Sequence, residues 1–143
     1  MKTMVVATRS VLGLIFLVFG LNGFLHFLSM PPPPAHAAAF LGALAKTRYM
    51  MPLIMGTQVI AGTLLVVGLW VPFALLLLAP VIVNVVAFHV FLAPGGLPFA
   101  IVVSALELAL AWHYRATFAP LFQAHRLQIR STTLVAPEIK APL

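Results

Sequence analysis

The chain alternates between long apolar runs and short polar breaks. Four runs approach the ~20 residues that a bilayer-spanning helix needs, and they cover residues 11–28, 53–70, 72–92 and 97–114. Backbone polar groups in lipid must be paired within the spanning segment, so these runs predict helices and not strands. Pro80 falls inside the third run and predicts a kink there.

Two shorter segments have the pattern of helices that lie on a membrane surface. In residues 35–48, three apolar residues share one face and two cations close the segment. They are Phe40, Leu41, Leu44, Lys46 and Arg48. Residues 116–130 show a similar pattern, and residues 131–143 are expected to be a flexible tail. We therefore expect an all-α membrane protein, with one four-transmembrane-helix bundle over residues 1–130 and an interfacial helix between helices 1 and 2.

Composition supports a membrane domain and excludes several other classes. The chain is 63% hydrophobic and only 7% charged, against about 25% charged in a soluble domain. Its net charge of +6 does not indicate nucleic-acid binding, because the cations lie in separate flanks and form no basic face. With no cysteine, the chain has no disulfide or iron–sulfur ligands.

The cations also predict the orientation. An even number of spans places both termini on one side of the membrane, together with Lys2, Arg9, Arg115, Arg126, Arg130 and Lys140. Lys46 and Arg48 lie opposite. Because short cytoplasmic flanks carry the excess of Lys and Arg, both termini are expected to be cytoplasmic.

Several segments resemble a known family. They are residues 12–28, the stretch Met30-Pro31-Pro32, and residues 40–44, 80–84 and 88–92. In this order and spacing they resemble DoxX-like integral membrane proteins of bacteria, over about residues 9–122. The resemblance implies a four-helix inner-membrane protein associated with quinone-linked oxidoreductase subunits. Gln58 stands where many relatives carry an acidic residue, which disfavours a proton-coupled mechanism that needs a carboxylate there.

Six polar residues inside the spans are the candidate ligand-binding residues. They are Asn22, His26, Gln58, Asn84, His89 and Glu107. At 1.5 Å per residue, the first five lie roughly 3–12 Å from the outer ends of their spans and Glu107 about 15 Å. This distribution predicts a polar pocket that opens outward, with Glu107 as its floor.

Helical spacing refines the expected pocket. Asn22 and His26 are four residues apart and should share a helix face. Asn84 and His89 are five apart and diverge by about 140°, so one small site would hold both only if Pro80 or a helix end rotates them.

A structural interpretation of the same residues stays open. Asn22, Gln58 and Asn84 are equally explained as interhelical hydrogen-bonding groups, and His26 and His89 as interfacial anchors. Glu107 has no predicted cationic partner, so we expect a neutral carboxyl that either functions in the pocket or bonds to Ser104 or an amide.

Three functions follow from these observations. The first is a subunit of a redox-associated membrane complex whose pocket takes a quinone-like lipid. The second is a structural or assembly subunit, alone as a homo-oligomer or with redox partners. A small-molecule transporter is disfavoured because the chain shows no internal repeat. Haem between His26 and His89 is also disfavoured, and no metal or catalytic motif occurs, so no enzymatic activity is assigned.

Overall fold

A computed structural model describes residues 2–122 of the protein. Within this part the chain is helical and contains no strand, which confirms the all-α four-helix bundle. The long helices are α1 (Lys2–Leu25), α3 (Met50–Val67), α4 (Val71–Phe91) and α5 (Leu97–His113), and the short ones are α2 (Ala35–Lys46) and α6 (Arg115–Phe118). Four helical segments are long and apolar enough to cross a bilayer. The protein is therefore a multi-pass membrane protein.

The predicted interfacial segments are helical as far as the structure describes them. Helix α2 occupies the first one and is followed by Arg48 in a left-handed conformation, with φ of 66°. In the second one, α6 continues into a 3-10 turn at Ala119–Phe122. The rest of that segment and the predicted tail at 131–143 lie outside the described residues.

Helix α1 differs most from its predicted span. It begins at Lys2 and ends at Leu25, whereas the apolar run covers residues 11–28. The early start is reasonable because Lys2 and Arg9 are good helix formers whose long side chains can reach the membrane surface. The helix ends early because the Asn22 side chain accepts a hydrogen bond from the Leu28 N–H, at 2.6 Å, and His26 is left-handed with φ of 52°.

The four long helices form a ring in the order α1, α3, α4, α5, with neighbours antiparallel. One end of the bundle carries α2, the end of α1, the start of α3 and the turn between α4 and α5; we call it the α2 end. The opposite end carries α6 and the turn between α3 and α4; we call it the α6 end. Two exposed tryptophans, Trp70 and Trp112, lie at the α6 end, as expected at a membrane interface.

Helices α1 and α3 pack with their backbones in contact. A β-carbon on Gly62 would lie 2.6 Å from the Leu17 nitrogen and 2.7 Å from the Gly13 carbonyl oxygen. A β-carbon on Gly20 would lie 2.9 Å from the Met55 carbonyl oxygen. Small residues let membrane helices approach this closely and gain dispersion energy along their length. The sequence therefore specifies this interface through glycines, whose lack of a side chain lets the two backbones approach each other.

The turn at the α6 end holds a second glycine-dependent contact. Gly68 ends α3 with φ of 85°, and the guanidinium of Arg9 lies directly against it. Trp70 follows with φ of 50° and starts the next helix. A cation beside the carbonyl end of a helix is favourably placed against the helix dipole, so this contact ties α1 to the turn between α3 and α4.

Candidate binding cavity

A cavity with a volume of about 890 Å³ lies between α2, α3 and α4 at the α2 end of the bundle. Apolar side chains form most of its wall, and none of the described lining residues is Asp, Glu, Lys or Arg. The polar side chains on the wall are Thr57, Gln58, Asn84 and His89. This is the composition of a small-molecule site: apolar walls and a few polar groups.

Helix α2 covers the cavity on the α2 end. Its apolar face contributes Phe40, Leu41 and Leu44 to the wall, and Ala37 on the same helix is fully buried. The ring of Phe40 packs against Phe88 of α4, with 6.1 Å between ring centroids. The amphipathic segment predicted to lie on the membrane surface therefore also forms part of the cavity wall.

Gln58 is the most enclosed polar group on this wall. Its side chain is 7% exposed, and within residues 2–122 it makes no hydrogen bond. It lies eight residues after the start of α3, about 12 Å from the α2 end. The Gln58 amide is not among the fully buried unpaired side-chain atoms of the described residues, which are Arg9 Nε and Glu107 Oε2. The cavity beside it supplies room for a group that completes its hydrogen bonds.

Asn84 and His89 line the same cavity, although their directions on α4 diverge. Both reach it because the lining follows α4 from Leu76 to Leu92, roughly 24 Å along the helix. Asn84 Nδ2 donates to the Pro80 carbonyl at 2.9 Å, and His89 Nδ1 donates to the Val85 carbonyl at 2.8 Å. The cavity is long enough for both side chains to line it, and no rotation of one part of α4 relative to the other is needed.

Asn22 and His26 lie outside the lining of this cavity, and His26 directly follows the last residue of α1. The helix ends at Leu25, so His26 no longer follows helical geometry and is exposed to the surroundings. Asn22 uses its side-chain oxygen to cap the end of its own helix. The apolar run continues past the true end of α1, which is why periodicity alone placed the boundary too late.

Glu107 does not line this cavity. It belongs to the buried stripe of α5, together with Ala100, Val103 and Leu110, and is 7% exposed. Its Oε2 atom is buried without a partner among the described residues, and Ser104 donates to the Ala100 carbonyl instead. Depth along one helix does not determine which neighbouring helices separate, and here α5 contributes no residue to the lining.

The described hydrogen bonds do not support the interhelical interpretation of the amides. Asn84 bonds to its own helix, Asn22 to the segment that follows its helix, and Gln58 to no group within residues 2–122. The glycine contacts between α1 and α3 perform the close packing instead. Phe40 and Phe88 were not identified from the sequence as site residues, because only polar groups within the spans were considered.

A haem between His26 and His89 is not favoured by this geometry. His89 donates through Nδ1, and the edge of its ring that carries Nε2 lies against Gly96 in the turn before α5. The ring would have to leave this contact to ligate iron. Within residues 2–122, no cluster of three or more His, Asp or Glu side chains is placed to hold a metal ion.

Comparison of the chain with protein-family models, with curated proteins and with solved structures finds no match.

Proposed function

We propose that this protein is a membrane-embedded binding subunit that takes a neutral, lipid-like molecule into the cavity between α2, α3 and α4. The observation that carries the proposal is Gln58, a side chain only 7% exposed on the wall of an apolar cavity, whose amide makes no hydrogen bond within residues 2–122. Burying an amide without a partner is unfavourable. A ligand that pairs with it removes this penalty.

The lining supports a neutral ligand whose polar group lies below the membrane surface. No Asp, Glu, Lys or Arg side chain lines the described wall, so a charged head group would lose its hydration without compensation. Gln58 and Asn84 lie at similar depths, about 12 Å and 10 Å from the α2 end. The head group of a phospholipid lies higher, at the membrane surface.

A quinone-like lipid satisfies these conditions and is the cofactor class that the DoxX-like resemblance implies. Its ring carbonyl would accept a hydrogen bond from Gln58 Nε2, and its tail would lie against the apolar walls. We therefore propose a subunit of a quinone-linked or other redox-associated complex in a bacterial inner membrane. A structural subunit without a ligand and a small transporter are the competing functions.

Mass spectrometry of the protein purified in mild detergent tests this proposal. We expect an enriched apolar molecule, and saturable binding of decyl-benzoquinone in nanodiscs. Gln58→Leu should weaken that binding about five-fold, the equivalent of one hydrogen bond of ~1 kcal/mol. Thr63→Val is the matched control, because Thr63 lies on the same helix outside the cavity and bonds only to Val59.

Neither an enriched molecule nor saturable binding in the unmodified protein would reject the binding proposal and favour the structural subunit. Equal losses of binding affinity in Gln58→Leu and Thr63→Val would show that the effect is not specific to the cavity.

The orientation is a separate proposal. We expect the α6 end, with Lys2, Arg9 and Arg115, to face the cytoplasm and the α2 end to face outward. The chain has no cysteine, so single cysteines can be placed cleanly. A cysteine at exposed Ala38 of α2 should react with an impermeant thiol reagent on intact cells, and one at exposed Thr3 should not. The reverse labelling pattern would show that the α2 end, and with it the cavity, faces the cytoplasm.

A further inference from the structure

Helix α4 carries a regular stripe of side chains on the side that faces away from the bundle core. The core side is marked by its buried residues, which include Val71, Leu75, Leu78 and Ile82. The stripe consists of six exposed or half-buried residues, and we call it the α4 seam: Phe73, Leu77, Pro80, Asn84, Ala87 and Phe91. At about 100° per residue, the centre of the seam lies roughly 180° from the centre of the core side. Its members alternate at spacings of four and three, the pattern by which two helices pack along their length.

Asn84 is the polar residue of the seam. Its side chain is exposed and lies about 10 Å from the α2 end, within the apolar depth of a bilayer. Nδ2 donates to the Pro80 carbonyl at 2.9 Å, and within residues 2–122 the amide makes no other hydrogen bond. One N–H and the Oδ1 atom therefore remain on the outward side of the bundle. Hydrocarbon offers neither a donor nor an acceptor, so a polar group of another helix at the same depth would stabilise this amide.

A second copy of this chain supplies such a group. Two copies with the same orientation in a membrane are related by an axis along the membrane normal, so their α4 helices run parallel and each residue meets its counterpart at the same depth. An amide that keeps one N–H and one oxygen is complementary to itself, because each copy can donate to the Oδ1 atom of the other. Ala87, the next residue along the seam, is small and lets the two helices approach closely.

We propose that the protein forms a parallel dimer through the α4 seam, with the two Asn84 amides paired across the symmetry axis. In coiled coils, a single asparagine at a seam position fixes the register and the number of helices in this way. All seam residues except Phe73 also belong to the cavity wall, so the second copy shields the cavity from lipid on this side. The dimer goes beyond the proposed function, because the seam and its amide require no ligand.

Disulfide cross-linking tests the contact along the seam, because the chain has no cysteine of its own. When native membranes are oxidised with copper phenanthroline, Ala87→Cys should yield a species of twice the subunit mass. Val102→Cys is the matched control and should stay monomeric, because Val102 is exposed at a similar depth on α5. Equal cross-linking of both variants, or none of Ala87→Cys, would overturn the seam. Cross-linking of Ala87→Cys only to a different protein would assign the seam to another partner and also overturn the dimer.

The Asn84 pair is tested by the strength of association. Energy transfer between subunits labelled at Thr3→Cys and diluted in phosphatidylcholine vesicles measures the dissociation constant of the dimer. Asn84→Leu should raise this constant about ten-fold, as for two hydrogen bonds between membrane helices. Thr63→Val should leave it unchanged, because Thr63 is an exposed polar residue of α3 whose hydroxyl donates to the Val59 carbonyl. An unchanged constant in Asn84→Leu would overturn the amide pair.

Two further comparisons separate the dimer from folding and from ligand binding. In detergent that keeps the copies apart, Asn84→Leu should unfold almost as the unmodified protein does, so the loss of association would not reflect a loss of folding. If the subunits stay monomeric in vesicles while decyl-benzoquinone binds saturably, only the dimer fails. If the dimer forms and no ligand binds, the proposed function fails and the dimer stands.

Discussion

Helix α3 meets its two neighbours in opposite ways. Against α1 it presents Gly62, and the two backbones come so close that a β-carbon would collide with the Leu17 nitrogen and the Gly13 oxygen. Against α4 it leaves a cavity of about 890 Å³ whose wall contains Gln58. Gly62 and Gln58 are one turn apart on the same helix, yet Gly62 lies in a backbone contact with α1 and Gln58 lines the cavity beside α4.

The contrast indicates how a small bundle can combine stability with binding. Dispersion contacts between close helices stabilise α1 on α3 without any polar group. The cavity between α2, α3 and α4 can then leave Gln58 without a hydrogen bond among the described residues, because the interface between α1 and α3 helps to maintain the fold. Four predictions test this division, in order of decreasing expected effect.

Gly62→Ala should disrupt the tight interface. The added carbon meets backbone atoms that cannot move independently, so the free energy of unfolding should fall by about 1–3 kcal/mol. Unfolding in mixed detergent and SDS measures this change. Gly56→Ala is the matched control on α3, because a β-carbon at Gly56 has no atom within 4 Å. Equal destabilisation by both variants would contradict the proposed difference between the interfaces.

Gln58→Leu should act in the opposite direction on stability. Leucine has a similar size and removes an amide that has no partner within residues 2–122. The ligand-free protein should therefore gain about 1 kcal/mol in its free energy of unfolding. A thermal scan in detergent, after removal of co-purifying molecules, checks the change. A clear loss of stability would mean that the Gln58 amide already has a structural partner.

Asn84→Leu should change stability least among the cavity residues. The side chain is exposed and donates only to Pro80 on its own helix, so no contact between helices is lost. The change in the free energy of unfolding should stay below about 0.6 kcal/mol, the average value of a polar contact between membrane helices. A larger loss would show that Asn84 also bonds a neighbouring helix.

Glu107→Gln should leave folding unchanged. The carboxyl is buried with Oε2 unpaired among the described residues, and as a neutral acid it resembles the amide in size and polarity. Infrared spectroscopy should show a protonated carboxyl band at neutral pH that disappears in Glu107→Gln. The chain has two acidic residues, Glu107 and Glu138, so the assignment is simple. Absence of the band would show that Glu107 is ionised and is either paired with a cation or hydrated by water.

Much of the fold was predictable from local pattern. The apolar runs identified four spans because lipid demands about 20 apolar residues and complete internal backbone pairing. Helix α2 was predictable because Phe40, Leu41 and Leu44 share a face. The end of α1 was not predictable, because the apolar run continues beyond Leu25. The helix ends where the Asn22 side chain accepts a hydrogen bond from the Leu28 N–H.

For the candidate site, too, the sequence determined one part and the tertiary structure the other. By itself the sequence determined which polar residues are available and how deep each lies along its own helix, because both depend only on order and on the rise of a helix. Which of them meet was decided by the tertiary structure. Close glycine contacts join α3 to α1, whereas a cavity lies between α2, α3 and α4. Gln58, Asn84 and His89 therefore line the same cavity, while Asn22, His26 and Glu107 lie outside it. Contacts between helices depend on complementary shapes along their whole length, and no single segment contains that information.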